Sequence, residues 1–215
     1  MEPDNVPLKT LVAATAGILA VEALARWAAG HAALPSLAVT GTARVIDLAW
    51  IAWAVHRWGP GPRGLGVDRG RWGAGLSRGC LWSIAFGALA AIAYGTLRLA
   101  GVDAVGLLVG GRPSRPADPV LLFLVGGLIA PAAEEAYFRG LVFGFLRRWG
   151  FAPALVLSTA VFAGLHSAGA GIPVTQLVGG LVFAAAYEKE RSLIVPILIH
   201  TLGNLALFSL PYILG

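Results

Sequence analysis

The sequence has little charge and almost no cysteine. Asp, Glu, Lys and Arg make up 13% of its 215 residues, against about 25% in a typical soluble domain. Its single cysteine, Cys80, excludes an intrachain disulfide and a cysteine-based metal site. Because 57% of the residues are apolar, this composition indicates a protein of the lipid bilayer.

The chain also lacks a basic stripe along any one helix, although its formal net charge is +5. Most of its Lys and Arg residues lie between the apolar runs, where they orient membrane proteins, so we expect no nucleic-acid partner. Arginine outnumbers lysine by 14 to 2, which is the coding bias of a GC-rich bacterium.

Seven apolar runs predict an all-α fold, a polytopic bundle of about seven transmembrane helices. The runs are residues 8–29, 37–56, 79–97, 119–146, 151–167, 174–187 and 193–210. A piece at 102–109 is too short to span, since about 20 residues are needed, and we expect a re-entrant or interfacial turn there, an eighth element. The Gly-, Pro- and Arg-rich segment 57–78 is expected to be a basic surface loop that touches lipid headgroups.

The distribution of Lys and Arg predicts that the N-terminus lies in the cytoplasm. With seven spans, ten of these residues fall on the N-terminal side of the membrane and three on the other side. A cleaved signal peptide is the alternative for the first run. Lys9 stands beside Glu2 and Asp4, which is a poor signal-peptide start.

Charged residues interrupt three of the apolar runs. Glu22 with Arg26, and Arg44 with Asp47, have spacings that allow structural pairs on a helix face.

The third interruption is Glu134, Glu135 and Arg139 in the fourth run. An ionisable group at this depth is costly and usually faces a protein interior or a wet cavity. Glu135 and Arg139 can pair at i, i+4. Adjacent helical residues diverge by about 100°, so Glu134 is left free for another task.

Three more polar residues lie level with Glu134: His166 in the fifth run, and His200 and Asn204 in the seventh. At about 1.5 Å per residue, all four lie roughly 13–21 Å into the membrane. A carboxylate in a dry pocket can activate water, a histidine can relay its proton, and a His and an Asn can stabilise an oxyanion. These groups suit amide hydrolysis by water, since no serine has a nucleophile-elbow pattern.

The same residues allow a metal-dependent alternative. Glu134, His166 and His200 could bind zinc as two histidines and one carboxylate. No His-Glu-x-x-His motif supports this arrangement.

The ordered motifs resemble the CAAX protease and bacteriocin-processing (CPBP, or ABI) family of intramembrane endopeptidases. The resemblance covers about residues 119–210 and consists of Glu134-Glu135-x-x-x-Arg139, Phe162-x-x-x-His166 and His200-x-x-x-Asn204. It implies a bacterial membrane hydrolase, a glutamate-type protease in which Glu134 activates water with His166. It further implies that His200 and Asn204 stabilise the oxyanion, while Glu135 and Arg139 brace the site.

The family resemblance also implies partners and a location. The expected substrate is a membrane-anchored protein or peptide, such as a C-terminal sorting tag, cut near its C-terminal end. We expect a multi-pass protein of the bacterial inner membrane, with N-terminal helices in residues 1–118 and a catalytic core in residues 119–215. The expected cofactor is none, with zinc as the alternative.

Two other functions use the same residues. A non-catalytic immunity or scaffold protein would bind a peptide in the same cavity. A small proton-coupled transporter would use Glu134 and the two histidines as a proton relay.

Overall fold

The computed structural model describes residues 6–31, 35–102, 118–167 and 173–213, and within these ranges the chain is helical without β-strands. Its seven long helices are α1 (Leu8–His31), α2 (Ser36–Trp58), α3 (Trp72–Leu99), α4 (Pro119–Trp149), α5 (Phe151–His166), α6 (Val174–Glu190) and α7 (Ile194–Ile213). They match the seven apolar runs and confirm a polytopic helical bundle. The turn predicted at 102–109 lies, apart from its first residue, outside the described residues.

The protein is a multi-pass membrane protein. Among the described residues, α1, α2, α3 with the turns before it, and α4 are long and apolar enough to cross a bilayer. Helices α5 and α6 are shorter, with 16 and 17 residues, or about 24–26 Å. Large apolar side chains on α1 and α3, such as Leu19, Leu81 and Ile84, are exposed on the outside of the bundle, where lipid would surround them.

Helix α4 lies at the centre of the bundle. It packs against α1, α2, α5, α6 and α7, whereas α3 lies at the periphery against α6 and α7. The side chains of Phe138, Leu141 and Phe143 on α4 are buried. The helix that carries the two adjacent glutamates is therefore the one that most other helices contact.

One end of the bundle is held by polar contacts, and we call it the basic end. It contains the N-termini of α1, α3, α5 and α7 and the C-termini of α2, α4 and α6. Thr10 Oγ1 donates to Trp58 O at 2.7 Å, and Arg148 Nη2 donates to Val6 O at 2.6 Å. Arg147 donates through Nε and Nη2 to the two Glu188 oxygens at 2.8 and 2.6 Å. All ten Lys and Arg residues expected in the cytoplasm lie at this end, and its orientation in the membrane remains a prediction.

The basic loop is shorter than the sequence predicts. The expectation of a loop through residue 78 is wrong, because α3 begins at Trp72. Gly75 and Gly79 let this first part of α3 approach Ile194 and Leu198 of α7 closely, so tertiary packing stabilises helix in a stretch without an apolar period. Arg78 then forms an ion pair with Glu190.

Of the two expected charged pairs, one forms as predicted and the other does not. Arg44 Nη1 contacts Asp47 Oδ2 at 2.7 Å, as predicted. Glu22 does not pair with Arg26, however, but with Arg44 on α2 at 2.8 Å. The reason is that Glu22 faces α2, whereas Arg26 is exposed.

The loop before α3 makes a close contact with the junction of α6 and α7. Tyr187 donates its hydroxyl to Leu65 O at 3.2 Å, and Gly66 has a positive φ of 76°. A Cβ at Gly66 would lie 2.6 Å from Arg191 O, so both conformation and space require glycine there.

Gly66→Ala is expected to destabilise the protein much more than Gly61→Ala. Both glycines have a positive φ, which costs an alanine about 1 kcal/mol. A Cβ at Gly61 meets nothing within 4 Å, whereas at Gly66 the clash adds about 1–3 kcal/mol. Thermal unfolding in detergent measures the difference, and equal midpoints for the two variants would contradict the contact.

Candidate active site

The site is built on an interruption of α4. Leu122–Ile129 and Ala136–Phe143 are wound as π-helix, with an α-helical turn at Ala130–Glu135 between them. Pro131 accounts for the first π segment, because its ring would clash with the carbonyl four residues earlier in an α-helix. Such segments are frequent at functional sites. Here, they flank the short turn that presents both glutamates.

The same proline leaves one carbonyl without its helical donor. Ala130 N–H donates to Val125 O, five residues back, and in this register the donor for Gly126 O would be Pro131, which has no N–H. Asn204 Nδ2 on α7 supplies the hydrogen bond instead, at 2.9 Å. Asn204 thus satisfies a backbone group that would otherwise be unpaired inside the bundle.

Glu134 lies between the two histidines that the sequence groups with it. Its Oε2 is 3.5 Å from His166 Nε2 and 3.8 Å from His200 Nε2. The side chains of Glu134 and His166 are 19% and 31% exposed, whereas His200 is buried. Three helices therefore bring one carboxylate and two imidazoles together, and His166 is the most exposed of the three side chains.

Glu135 is fully buried and contacts two partners through one oxygen. Its Oε1 accepts from Arg139 Nη1 at 3.1 Å and from His200 Nδ1 at 2.8 Å. The spacing of Glu135 and Arg139 predicts the first contact, while the second joins α4 to α7 and was not foreseen. His200 consequently bridges the two neighbouring glutamates, one at each ring nitrogen.

Arg139 is enclosed almost completely, with 1% of its surface exposed. Its Cζ lies 5.9, 4.7 and 5.2 Å from the ring centroids of Phe138, Phe162 and Phe183. Its Nη2 donates to Gly180 O at 3.3 Å. Charge–aromatic attraction and this hydrogen bond fix the guanidinium against α5 and α6, so Arg139 holds the central turn of α4 in place.

The hydrogen bonds of the two imidazoles assign their tautomers. His166 Nδ1 donates to Phe162 O at 2.8 Å, and His200 Nδ1 donates to the Glu135 carboxylate. A neutral imidazole has one N–H, so each neutral ring turns an unprotonated Nε2 toward Glu134. Three acceptor atoms that converge in this way suit a shared proton or a water molecule, which can donate to them.

The zinc alternative would use the same three atoms around Glu134. Bonds of about 2.0–2.1 Å to a tetrahedral zinc place ligand atoms roughly 3.3–3.4 Å apart, closer than the two spacings around Glu134. Across the ranges that the structure describes, no three or more His, Cys, Asp or Glu side chains are arranged to hold a metal ion. We therefore derive no step through zinc.

Sequence patterns identify some of these residues and miss others. Depth and spacing group Glu134, His166, His200 and Asn204, and the structure places them on facing helices. Asn204, however, bonds to Gly126 O and not to either glutamate. Phe183 stacks on His200, with 4.8 Å between the ring centroids. No sequence pattern indicates this contact, because an apolar residue is ordinary in an apolar run.

Comparison with known proteins finds a related membrane protease family. Residues 116–206 match the family model described as type II CAAX prenyl endopeptidase Rce1-like. The membrane-embedded CAAX protease MroQ of Staphylococcus aureus (strain USA300) is 37% identical over 93 residues, which cover 40% of this chain and 37% of MroQ. The chain thus matches little more than a third of that relative's length. No solved structure matches significantly.

A double-mutant cycle tests the contact of Asn204 with Gly126. Asn204→Ala is expected to cost about 1–3 kcal/mol of stability, because it leaves a partly buried carbonyl unpaired. In a Pro131→Ala background, the new N–H can donate to the helix, so the same change should cost less than half as much. Unfolding in detergent gives the coupling energy, and additive costs would contradict the capping role.

Proposed function

We propose that this protein, whose residues 116–206 match the family model described as type II CAAX prenyl endopeptidase Rce1-like, is an intramembrane endopeptidase. It hydrolyses a peptide bond near the C-terminal end of a membrane-associated protein or peptide. The observation that supports this proposal best is the convergence of Glu134 Oε2 with Nε2 of His166 and of His200, at 3.5 and 3.8 Å.

In the proposed reaction, water is the nucleophile and Glu134 is the general base. Water held between Glu134 and His166 gives a proton to Glu134 Oε2 as its oxygen attacks the carbonyl carbon. A tetrahedral oxyanion forms, the C–N bond breaks, and the proton held by Glu134 passes to the leaving amine. No metal takes part.

The oxyanion is stabilised from α7. His200 donates to it from Nε2 when the ring carries protons on both nitrogens, with the Glu135 carboxylate at Nδ1 as the counter-charge. Asn204 Nδ2 has a second hydrogen besides the one given to Gly126 O, and we assign it to the same oxyanion. Arg139 keeps Glu135 in position for this task.

The substrate and location follow from the same proposal. The substrate is anchored in the bilayer and enters beside His166, the most exposed of the three side chains. A C-terminal sorting tag, a prenylated CAAX tail and a bacteriocin-type peptide share this chemistry. The protein lies in the bacterial inner membrane with its basic end in the cytoplasm.

Glu134→Gln is expected to abolish cleavage while the protein still folds. Loss of a general base lowers kcat by roughly 10²–10⁴-fold, and His166→Ala should have a similar effect. The assay uses purified protein in liposomes with a quenched fluorescent, prenylated CAAX peptide.

Asp68→Asn, the same type of change in the loop before α3, is the control. Normal cleavage by Glu134→Gln would exclude the mechanism, and proton flux that Glu134→Gln removes would favour a transporter.

Natural substrates can be identified by comparing the C-termini of membrane proteins in cells that carry the wild-type protein or Glu134→Gln. We expect C-terminal fragments to be retained in the variant. Identical C-termini in both strains would favour the non-catalytic scaffold.

Metal removal separates the two catalytic classes. Under the proposed mechanism, dialysis against a strong chelator leaves kcat/KM within about twofold of its starting value. The same peptide assay before and after chelation measures this. Loss of activity that added zinc restores would establish the metal-dependent class instead.

A further inference from the structure

A second charged cluster lies next to the site, on helices outside the matched region. The Arg44 cluster consists of Arg44, Glu22 and Asp47. Arg44 Nη1 contacts Glu22 Oε1 at 2.8 Å and Asp47 Oδ2 at 2.7 Å, and the side chain of Arg44 is 23% exposed. Asp47 is 1% exposed. Charged groups at this depth are rare unless they serve a function, and the proposed hydrolysis does not use these three.

Arg44 lies at the same depth as Glu134. Trp58 ends α2, and Arg148 lies in the last turn of α4, both at the basic end. Arg44 precedes Trp58 by 14 residues, and Glu134 precedes Arg148 by 14. At about 1.5 Å per residue this is roughly 21 Å along α2, and a few ångströms less along α4, where Ala136–Phe143 is π-helix.

Helix α2 packs against the Ala130–Glu135 turn of α4, which carries Glu134. Gly41, one turn before Arg44, approaches so closely that a Cβ there would lie 2.7 Å from Val125 Cγ2. Arg44 is near enough to interact electrostatically with Glu134 and His166. The cluster therefore lies beside the proposed general base.

Two nitrogens of the Arg44 guanidinium are not used by its carboxylate partners. Within the described ranges, both of its carboxylate contacts are made by Nη1, which leaves Nε and Nη2 available. These two nitrogens form the fork that binds a carboxylate bidentately. Arg147 shows the filled arrangement in this same chain, with its Nε and Nη2 on Glu188 at 2.8 and 2.6 Å.

Other cationic side chains are poorly placed to bind a carboxylate beside Glu134. Arg139 is 1% exposed and already engaged with Glu135 and Gly180. Arg26 lies on the exposed side of α1, and Arg98 is exposed near the end of α3 remote from the basic end. Of the Lys and Arg residues that the structure describes, Arg44 is the partly exposed one beside Glu134.

We propose that Arg44 binds the C-terminal carboxylate of the substrate and so restricts cleavage to bonds near a free chain end. The proposal rests on the endopeptidase function above and adds a specificity-determining residue to it. Glu22 and Asp47 hold Nη1, and the Nε–Nη2 fork receives the substrate carboxylate. Because Glu22, Asp47, Glu134 and Glu135 make this layer acidic, a further carboxylate is repelled unless a guanidinium receives it.

The test compares a peptide acid with its amide. The probe is a prenylated CAAX peptide with a fluorophore and a quencher on either side of the scissile bond, made with a free C-terminal carboxylate or a C-terminal amide. The full-length protein in liposomes is expected to cleave the acid with a kcat/KM about tenfold to hundredfold above that of the amide, as expected for one charge-assisted bidentate pair.

The matched variants both lack the charges of Glu22 and Asp47, and they differ only at Arg44. Arg44→Gln alone leaves Glu22 and Asp47 without their cation and can unfold the protein. Glu22→Gln/Asp47→Asn with Arg44 retained is therefore compared with the triple variant that adds Arg44→Gln. The double variant should keep the preference for the acid, whereas the triple variant should lose it and cleave the amide as fast as the double variant does.

Binding separates this proposal from the catalytic one. In a Glu134→Gln background, the fluorescent peptide acid should bind more tightly than the amide, and only when Arg44 is present. Such binding without cleavage by the wild type would contradict the endopeptidase proposal and support the role of Arg44. Equal binding of acid and amide, no binding of either, or a preference that survives Arg44→Gln would overturn the role of Arg44.

Discussion

The buried contacts of Glu135 with Arg139 and His200 are the interaction on which the rest of the site depends. A charge inside a bilayer is tolerated only where other groups of the protein replace water. Here, the carboxylate receives a guanidinium and an imidazole through one oxygen, and three aromatic rings surround the guanidinium. These contacts join α4 to α5, α6 and α7, and they fix which nitrogen of His200 faces Glu134.

The backbone of α4 obeys a similar constraint. In hydrocarbon, each carbonyl that loses its helical donor needs another one. Pro131 removes a donor and favours a wider winding, and Asn204 replaces the lost hydrogen bond from α7. The interruption that presents the two glutamates is thus tied to the helix that carries His200, so the geometry of the site and the stability of α4 depend on the same contacts.

The N-terminal helices contribute to the active layer as well as to the scaffold. Arg44 of α2 lies level with Glu134, with Glu22 of α1 beside it. The matched family region begins at residue 116, so Arg44 and Glu22 lie outside it. The proposed catalytic groups and the proposed carboxylate-binding group therefore come from different parts of one chain, which would allow substrate choice to vary while the chemistry stays the same.

The sequence by itself determined the seven helices, because apolar runs of membrane length leave few alternatives. It also grouped Glu134, His166, His200 and Asn204, which lie on three facing helices, because helical rise converts residue number into distance along a helix. Spacing within one helix also predicted the Glu135–Arg139 and Arg44–Asp47 pairs. Only the tertiary structure decided that Glu135 contacts His200 and that Asn204 bonds to Gly126 O. It also decided that Glu22 pairs with Arg44 and not with Arg26. The start of α3 at Trp72 was likewise set by packing. Each of these depends on how helices rotate and approach one another, and local spacing does not encode that rotation.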